Sequence, residues 1–348
     1  MSYEIITGDC LDWMRGREDS SVDLIATDPP YYKVANEPWD HQWDNPAEFL
    51  KWVGLLVAEW QRILKPNGSL YCFASPQMAG RVECVIRERL NVLNVITWNK
   101  GESRKGAAGS GVDVTALRRF WSSSSERIVF AEQYGANSLP AIMKKRRIAA
   151  GLSYSKAGEA LGCDGRLVDK WETQRGERDS CEPTFEQFRD AMTLYCYECD
   201  DIVREYEDLR RPFNVTADVE WGDVWTFNPP KSRSHPCEKP LSIMRHIIKA
   251  SSKPDAVVLD CFLGSGATAE AAIMEGRNFI GIEINPEYAD IARERCAKAE
   301  RQPDLFVRQP KPTQGSLLDT AGNPCGMSAG LSRAPQDLAE ESEEESDG

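Results

Sequence analysis

Residues 257–272 read VVLDCFLGSGATAEAA. A short apolar run, a glycine turn and an alanine-rich helical run follow one another directly, which is the building unit of a parallel α/β sheet. Gly264 and Gly266 permit a tight turn and let a ligand approach the backbone closely. Residues 264–269 satisfy the GxGxxA dinucleotide fingerprint, and Glu283 ends the next apolar run, about 20 residues on, where an acid can bind ribose hydroxyls. Three readings compete: a nicotinamide or flavin site, a structural glycine turn, or a site for a different adenosyl ligand. Asp260 discriminates. A carboxylate four residues before Gly264 repels a pyrophosphate but suits a cationic, phosphate-free ligand such as S-adenosylmethionine, whose amino group needs an acceptor.

Outward from this unit, apolar runs at 3–8, 22–27, 69–75, 92–98, 126–132, 256–262 and 278–284 read as strands. Helical periodicity covers 46–64, 81–90, 267–276 and 286–300, with Pro46 at a helix-compatible first position. The fold class is therefore α/β with a mostly parallel sheet. Lys65-Pro66-Asn67-Gly68 is expected to stop the helix at 46–64 and lead into the next strand. From Ser138 strand signals vanish until residue 256. This predicts four parts: 1–137, an inserted helical module at 138–212, a second half of the α/β domain at 213–307, and a disordered acidic tail at 308–348.

The chemistry points to Asp28-Pro29-Pro30-Tyr31. The run VDLIAT delivers Asp28 at a strand's C-terminal end, where open α/β sheets bind ligands. The prolines stiffen the next step and donate no hydrogen bond. An exocyclic amine on a nucleic-acid base is a poor nucleophile, because its lone pair is delocalised into the ring. Asp28 and the Pro29 carbonyl can both accept its N–H bonds and so localise that pair, while Tyr31 offers a face for a base flipped out of a duplex. A lone Asp-Pro-Pro is more often just a strand-ending turn. Asn228-Pro229-Pro230 serves as a control: Lys231 replaces the aromatic, and it is given no catalytic role.

Asp28-Pro-Pro-Tyr31 together with Asp260-x-Phe262-x-Gly264-x-Gly266 resembles the amino-methyltransferases of DNA. LKPNGSLYCF, VITWNKG and SSSSERIVFAE look like the middle strands of that family, and His235-Pro-Cys-Glu-Lys239-Pro240 looks like its HPxxKP element. The catalytic motif precedes the cofactor motif, which resembles the permuted beta-group order. The resemblance covers residues 3–133 and 221–298. It implies a Rossmann-like sheet of seven strands, one of them antiparallel, with S-adenosylmethionine as methyl donor. By resemblance, Asp28, Pro29, Pro30 and Tyr31 orient the target amine, and Asp9, Lys239, Asp260, Phe262, Gly264, Gly266 and Glu283 hold the cofactor. Asp as the first residue of the tetrapeptide favours N6 of adenine over N4 of cytosine. A C5-cytosine enzyme needs a Pro-Cys nucleophile. Cys237 follows Pro236 but belongs to the HPxxKP-like element, so that chemistry is set aside. A DNA-binding regulator with a decayed enzyme core is the rival from another class.

Residues 141–191 resemble the helix-turn-helix of phage-repressor-type proteins. Residues 152–161 supply the first helix, Gly162-Cys163 the turn, and 164–173 the recognition helix, with Val168 and Trp171 inward and Arg166 and Lys170 toward a major groove. Lys144, Lys145, Arg146 and Arg147 form the densest basic run and are candidates for phosphate contact, as are Arg104, Lys105, Arg118 and Arg119 in the Gly/Ser-rich segment before SSSSERIVFAE. The competing reading is a helical interaction module, because residues 148–211 carry 9 basic and 15 acidic side chains.

The chain has 348 residues and a net charge of -13. That acidity opposes indiscriminate nucleic-acid binding, yet it is unevenly spread. Residues 308–348 hold 3 basic and 8 acidic side chains, whereas residues 98–147 hold 10 basic and 4 acidic. The expected partner is double-stranded DNA, met by loops around Asp28, and a homodimer is a further expectation from the family. No apolar run approaches the roughly 20 residues that span a bilayer. The N-terminal residues lack a signal-peptide pattern, so a cytoplasmic location with reduced cysteines is expected. Cys196 and Cys199 form a CxxC with no second pair, and the three histidines have no ligand spacing, so no metal is expected.

Overall fold

The computed structural model describes residues 2–101, 124–133, 139–173, 183–195, 202–210, 212–214, 222–230 and 237–301. Eight strands form one sheet: β1 (Tyr3–Thr7), β2 (Val22–Thr27), β3 (Leu64–Ala74), β4 (Asn91–Asn99), β5 (Ser125–Glu132), β6 (Val224–Thr226), β7 (Val257–Asp260) and β8 (Asn278–Glu283). Their spatial order is β1-β8-β7-β2-β3-β5-β4-β6. Every pairing is parallel except the two made by β5, which runs antiparallel to β3 and to β4.

The count differs from the expected seven. The additional strand, β6, pairs Val224 with Thr97 and Thr226 with Asn99 at the sheet edge. Three residues with one buried side chain carry no readable alternation. A second difference concerns residues 65–68. They do not leave the strand: β3 runs through them, and the pairing with β2 shifts register between Val22↔Leu64 and Leu24↔Ser69. This bulge absorbs Pro66, which cannot donate to the ladder.

Helices α1 (Cys10–Arg15), α2 (Pro46–Ile63) and α3 (Ala79–Arg87) precede β4, and α9 (Leu241–Ser251), α10 (Ala267–Met274) and α11 (Pro286–Arg301) belong to the second half. Asn45 caps α2 by accepting from the Ala47 and Glu48 amides, and Pro46 starts it. Its apolar positions, Phe49, Val53, Leu56, Val57, Trp60 and Ile63, recur at helical spacing and are all buried. They pack with Met14, Val82 and Ile86 on one sheet face. Truncating fully buried Trp60 to Ala would cost about 3–5 kcal/mol through lost transfer energy and a cavity. Ile243, Ile247, Ala269 and Ala292 fill the other face.

Between β5 and β6 lie α4 (Leu139–Ala149), α5 (Tyr154–Leu161), α6 (Gly165–Glu172), α7 (Phe185–Leu194) and α8 (Ile202–Leu209). They bury a third apolar cluster of their own, around Met143, Val168, Trp171, Phe188, Met192 and Tyr206.

The architecture positions a site at one place. From β2 the chain steps outward to β3. From β7 it steps the other way to β8, and β2 and β7 lie side by side. Such a reversal opens a crevice at the C-terminal strand ends, where α/β sheets bind ligands.

Candidate active site

A cavity of about 640 Å³ occupies that crevice, within the size range of small-molecule sites. The ends of β1, β2, β7 and β8 deliver Asp9, Asp28, Asp260 and Glu283 to its wall, joined by Pro29, Pro30, Tyr31, Lys239, Phe262 and Gly264. The catalytic and cofactor motifs, remote in sequence, therefore share one space.

At the β2 end, Asp28 sits with its side chain 17% exposed. Its Oδ2 accepts from the Lys239 ammonium. Its Oδ1 is buried and has no hydrogen-bond partner among the described residues. Lys239 also lies 3.4 Å from Glu126 Oε2, and Lys100 pairs with the other oxygen of Glu126. The Tyr31 hydroxyl donates to Glu126 Oε2 at 2.9 Å. The Lys239 ammonium stands 5.2 Å from the centre of the Tyr31 ring, a cation–π distance.

Burial raises the pKa of Asp28; Lys239 opposes that rise and Glu126 adds to it. Burial also works against the charge of Glu126, but Lys239 and Lys100 outweigh it and hold the carboxyl down to about 2. For Lys239, burial opposes the ammonium, and the two carboxylates overcome it and raise the pKa. Tyr31 is pushed well above the usual phenol range by burial, then by Asp28 and Glu126. Glu126 is thus a fixed anion, and Asp28 is the group held nearer to protonation.

The glycine-loop end is built differently. Asp260 Oδ1 accepts from the Thr27 hydroxyl at 2.9 Å and the Phe262 amide at 3.0 Å, and its Oδ2 accepts from Thr268 at 2.6 Å. Burial lifts its pKa to about 6 against those donors. Glu283 bridges two backbones, accepting from the Gly264 amide at 2.7 Å and the Asn285 amide at 2.8 Å. Burial raises its pKa as well. Asp9 caps α1 by accepting from the Leu11 and Asp12 amides. Phe262 meets Trp52 edge-on at 5.7 Å. Gly266 has φ +87°, and a Cβ there would come within 2.9 Å of the Ala292 Cβ, so neither the turn nor the packing of α10 on α11 admits a side chain.

Some sequence expectations find other places. Lys239, expected at the cofactor, lines the shared cavity with its ammonium on Asp28 and Glu126. Arg147, expected on phosphate, is a buried strut: its Nε lies 2.9 Å from both oxygens of Glu172, its Nη1 donates to Leu152 O, and its guanidinium stacks 3.9 Å from the Tyr154 ring centre. Lys144 and Lys145 are exposed on α4, Arg146 is half-buried, and Arg166 and Lys170 are exposed on α6. Arg104, Lys105, Arg118, Arg119, Cys196, Cys199 and His235 lie outside the described residues. Pro229, part of the control tripeptide, lines the same cavity.

Sequence reasoning missed Lys100, Glu126, Asp40, Thr27 and Thr268. Glu126 stood in a quoted strand, but nothing local marks a carboxylate that reaches across to Tyr31 and Lys239. Among the described residues no group of three or more His, Cys, Asp or Glu could hold a metal ion, and no helix is long and apolar enough to cross a membrane.

Residues 22–294 match the N6_N4_Mtase family model, whose description is DNA methylase. The chain belongs to this family of DNA methylases. It is 28% identical over 304 residues to the DNA adenine methyltransferase YhdJ of Escherichia coli (strain K12), covering 84% of this chain and 81% of that protein. It is 23% identical over 314 residues to the type II methyltransferase M2.MboI of Moraxella bovis, covering 84% and 87%. Among solved structures, the cytosine-N4-specific PvuII DNA methyltransferase aligns with a TM-score of 0.53 at 13% identity, covering 87% of this chain and 92% of that one. The M1.HpyAVI–SAM complex aligns with a TM-score of 0.50 at 19% identity, covering 84% and 98%. For a DNA methylase, the cavity brings together an acid with a spare buried acceptor and a glycine loop under two carboxylates.

Proposed function

We propose that this DNA methylase transfers a methyl group from S-adenosylmethionine to N6 of an adenine rotated out of double-stranded DNA. The observation that carries the reading is Asp28 Oδ1, a buried acceptor at the cavity wall without a partner among the described residues. A buried unpaired acceptor is costly, and an exocyclic amine is the donor that the neighbouring Tyr31 face suits. The residues also fit the cofactor. Ser265 Oγ is a second buried atom on that wall without a partner among the described residues. Asp9, Asp260 and Glu283 supply acceptors for ammonium and ribose hydroxyls, and the absence of a phosphate suits their negative charge.

S-adenosylmethionine, when bound, supplies a methyl group carried on a positively charged sulfur. Lys239 fixes Asp28 through Oδ2, so Oδ1 remains for the amine. Asp28 Oδ1 and the Pro29 carbonyl accept the two N–H bonds and localise the nitrogen lone pair. Tyr31, tied to Glu126, presents its ring to the base. Forming the new N–C bond would break the sulfur–methyl bond, whose electron pair stays on sulfur as a neutral thioether; the nitrogen then carries a surplus proton, and Asp28, with its raised pKa, is suited to receive it. Positioning and electrostatics supply the rate. The relative named a DNA adenine methyltransferase supports adenine, as does Asp at the head of the tetrapeptide.

DNA contact is assigned to loops around Asp28 and to residues 138–212, read as an inserted helix-turn-helix module. Ser153 and Asp164 cap α5 and α6. Gly158 and Gly165 let those helices meet closely, a Cβ on Gly158 falling 2.6 Å from the Gly165 amide. Arg166 and Lys170 then lie on the exposed side of α6, opposite buried Val168 and Trp171.

The test is incubation of unmethylated duplex DNA with the protein and S-adenosylmethionine, followed by nuclease digestion and mass spectrometry of nucleosides. N6-methyladenine is expected. N4-methylcytosine alone would replace adenine with cytosine in this reading, and no methylated nucleoside at all would remove the methyltransferase reading.

A further inference from the structure

Five consecutive backbone amides, those of residues 31–35, end on a single residue. Tyr31 N and Tyr32 N donate to Asp40 Oδ1 at 2.6 and 2.8 Å. Val34 N and Ala35 N donate to Asp40 Oδ2 at 2.7 Å each. Lys33 N donates to the Asp40 carbonyl at 2.8 Å. Asp40 itself is 0% exposed and sits at the end of a one-turn 3-10 helix, Pro38–Asp40. The segment it gathers is strained. Tyr32 has φ +63° and Lys33 has φ +61°, two successive side-chain-bearing residues in the left-handed region that favours glycine. Such a path persists only where the surroundings overdetermine it; here the Asp40 carboxylate takes four of the five amides and its carbonyl the fifth, beside the Lys33 Nζ bond to Asp44 O and the contact of His41 Nε2 with Ala35 O.

We propose that Asp40 is a positioning residue for methyl transfer, acting through the backbone of residues 31–35. This inference rests on the methyltransferase reading. A ring of inward-facing N–H groups is the backbone nest that ordinarily binds an external anion; here an internal carboxylate fills it and freezes the loop. The frozen loop fixes the backbone of Tyr31, whose ring is pinned at its far end by Glu126. It also places Val34, 53% exposed, and Ala35 on the cavity wall. Displacements near 1 Å in such a segment cost about a hundredfold in rate. Asp40 borders the cavity, but it has no exposed surface and both its carboxylate oxygens are taken by backbone amides, so its removal should act on the transfer step and spare cofactor binding.

The experiment compares the full-length protein with Asp40→Asn. A single amide oxygen can serve one pair of the four N–H groups, and its NH2 group opposes the other pair. Three quantities are measured: the single-turnover methyl-transfer rate at saturating cofactor and DNA, the calorimetric Kd for S-adenosylmethionine, and the rate of tryptic cleavage after exposed Lys33. The expected result is a transfer rate lower by roughly 10- to 100-fold, a Kd within about threefold, and faster cleavage at Lys33. The double variant Asp40→Asn/Lys33→Gly should recover part of the lost rate, because glycine holds the left-handed path unaided; a generally destabilised fold would not recover. A rate within twofold of the parent, a Kd that rises in step with the rate loss, or unchanged cleavage would each overturn the proposal. Should the parent protein methylate no DNA, the methyltransferase reading falls, and cleavage at Lys33 still decides whether Asp40 holds the loop.

Discussion

At the end of the cavity proposed to be catalytic, Asp28 and Glu126 face Lys239 and Lys100. At the glycine-loop end, Asp260, Glu283 and Asp9 are met by hydroxyl and backbone N–H donors. The first end closes its charge internally, two anions against two cations. The second end leaves anionic charge uncompensated among its described partners. Neutral donors orient a carboxylate without cancelling it, so the glycine-loop end stays attractive to a cation, whereas the catalytic end is poised for a neutral amine. This is the electrostatic division that a sulfonium donor and an uncharged base require.

The strongest way to break the comparison is at Asp28. Asp28→Ala is expected to lower methyl transfer by about a thousandfold, the order lost when a transition-state partner is removed, and to leave the cofactor Kd within about threefold. Tritiated methyl transfer and calorimetry check the two parts, and a parallel loss of cofactor binding would move Asp28 to the other end. Lys239→Met comes next. If Lys239 serves the catalytic end, the rate falls by about a hundredfold with an unchanged Kd. A tenfold rise in Kd with a near-normal rate would return it to the cofactor.

Asp260 tests the second end by pH. Its carboxyl is neutral below about 6 and anionic above. Cofactor affinity, followed by calorimetry, should therefore rise as pH climbs through 6, by up to about tenfold. The same shift acts oppositely on the free protein. Folding raises this pKa from about 3.9, so the group's contribution to stability falls as pH rises between those values. Asp260→Asn should flatten the affinity profile.

The smallest effects extend the contrast to the helices after β5. Arg147 and Glu172 close their charge internally, while Lys144 and Lys145 are exposed. Lys144→Ala with Lys145→Ala should weaken DNA binding severalfold and reduce the salt slope by about 2. Arg147→Ala should instead lower the melting temperature, since an uncompensated buried Glu172 costs about 3–5 kcal/mol.

What was legible in the sequence follows the same division. Strand-end acids such as Asp28, Asp260 and Glu283 were visible because short apolar runs and a glycine turn announce them locally. Glu126, Lys100 and Asp40 were not, because each acquires its meaning from a partner on another strand or loop. Lys239 was visible as part of an element, but its pairing with Asp28 and Glu126 was not, for the same reason. Strand β6 escaped notice because three residues are too few for a period, and residues 65–68 look like a turn until β2 supplies the register shift.

The hydrogen bond from Thr27 to Asp260 joins residues separated by 233 positions, and strand β2 gains its β7 neighbour over the same span. Translated into synthesis at about 5–20 residues per second, the Asp28-Pro-Pro-Tyr31 tetrapeptide leaves the ribosome roughly 10–50 seconds before the strand that completes its crevice. During that interval one edge of β2 has no partner, and the growing chain cannot yet hold both reactants. Catalytic competence is thus a late event in the life of each new molecule, timed by strand order rather than by the chemistry of the site.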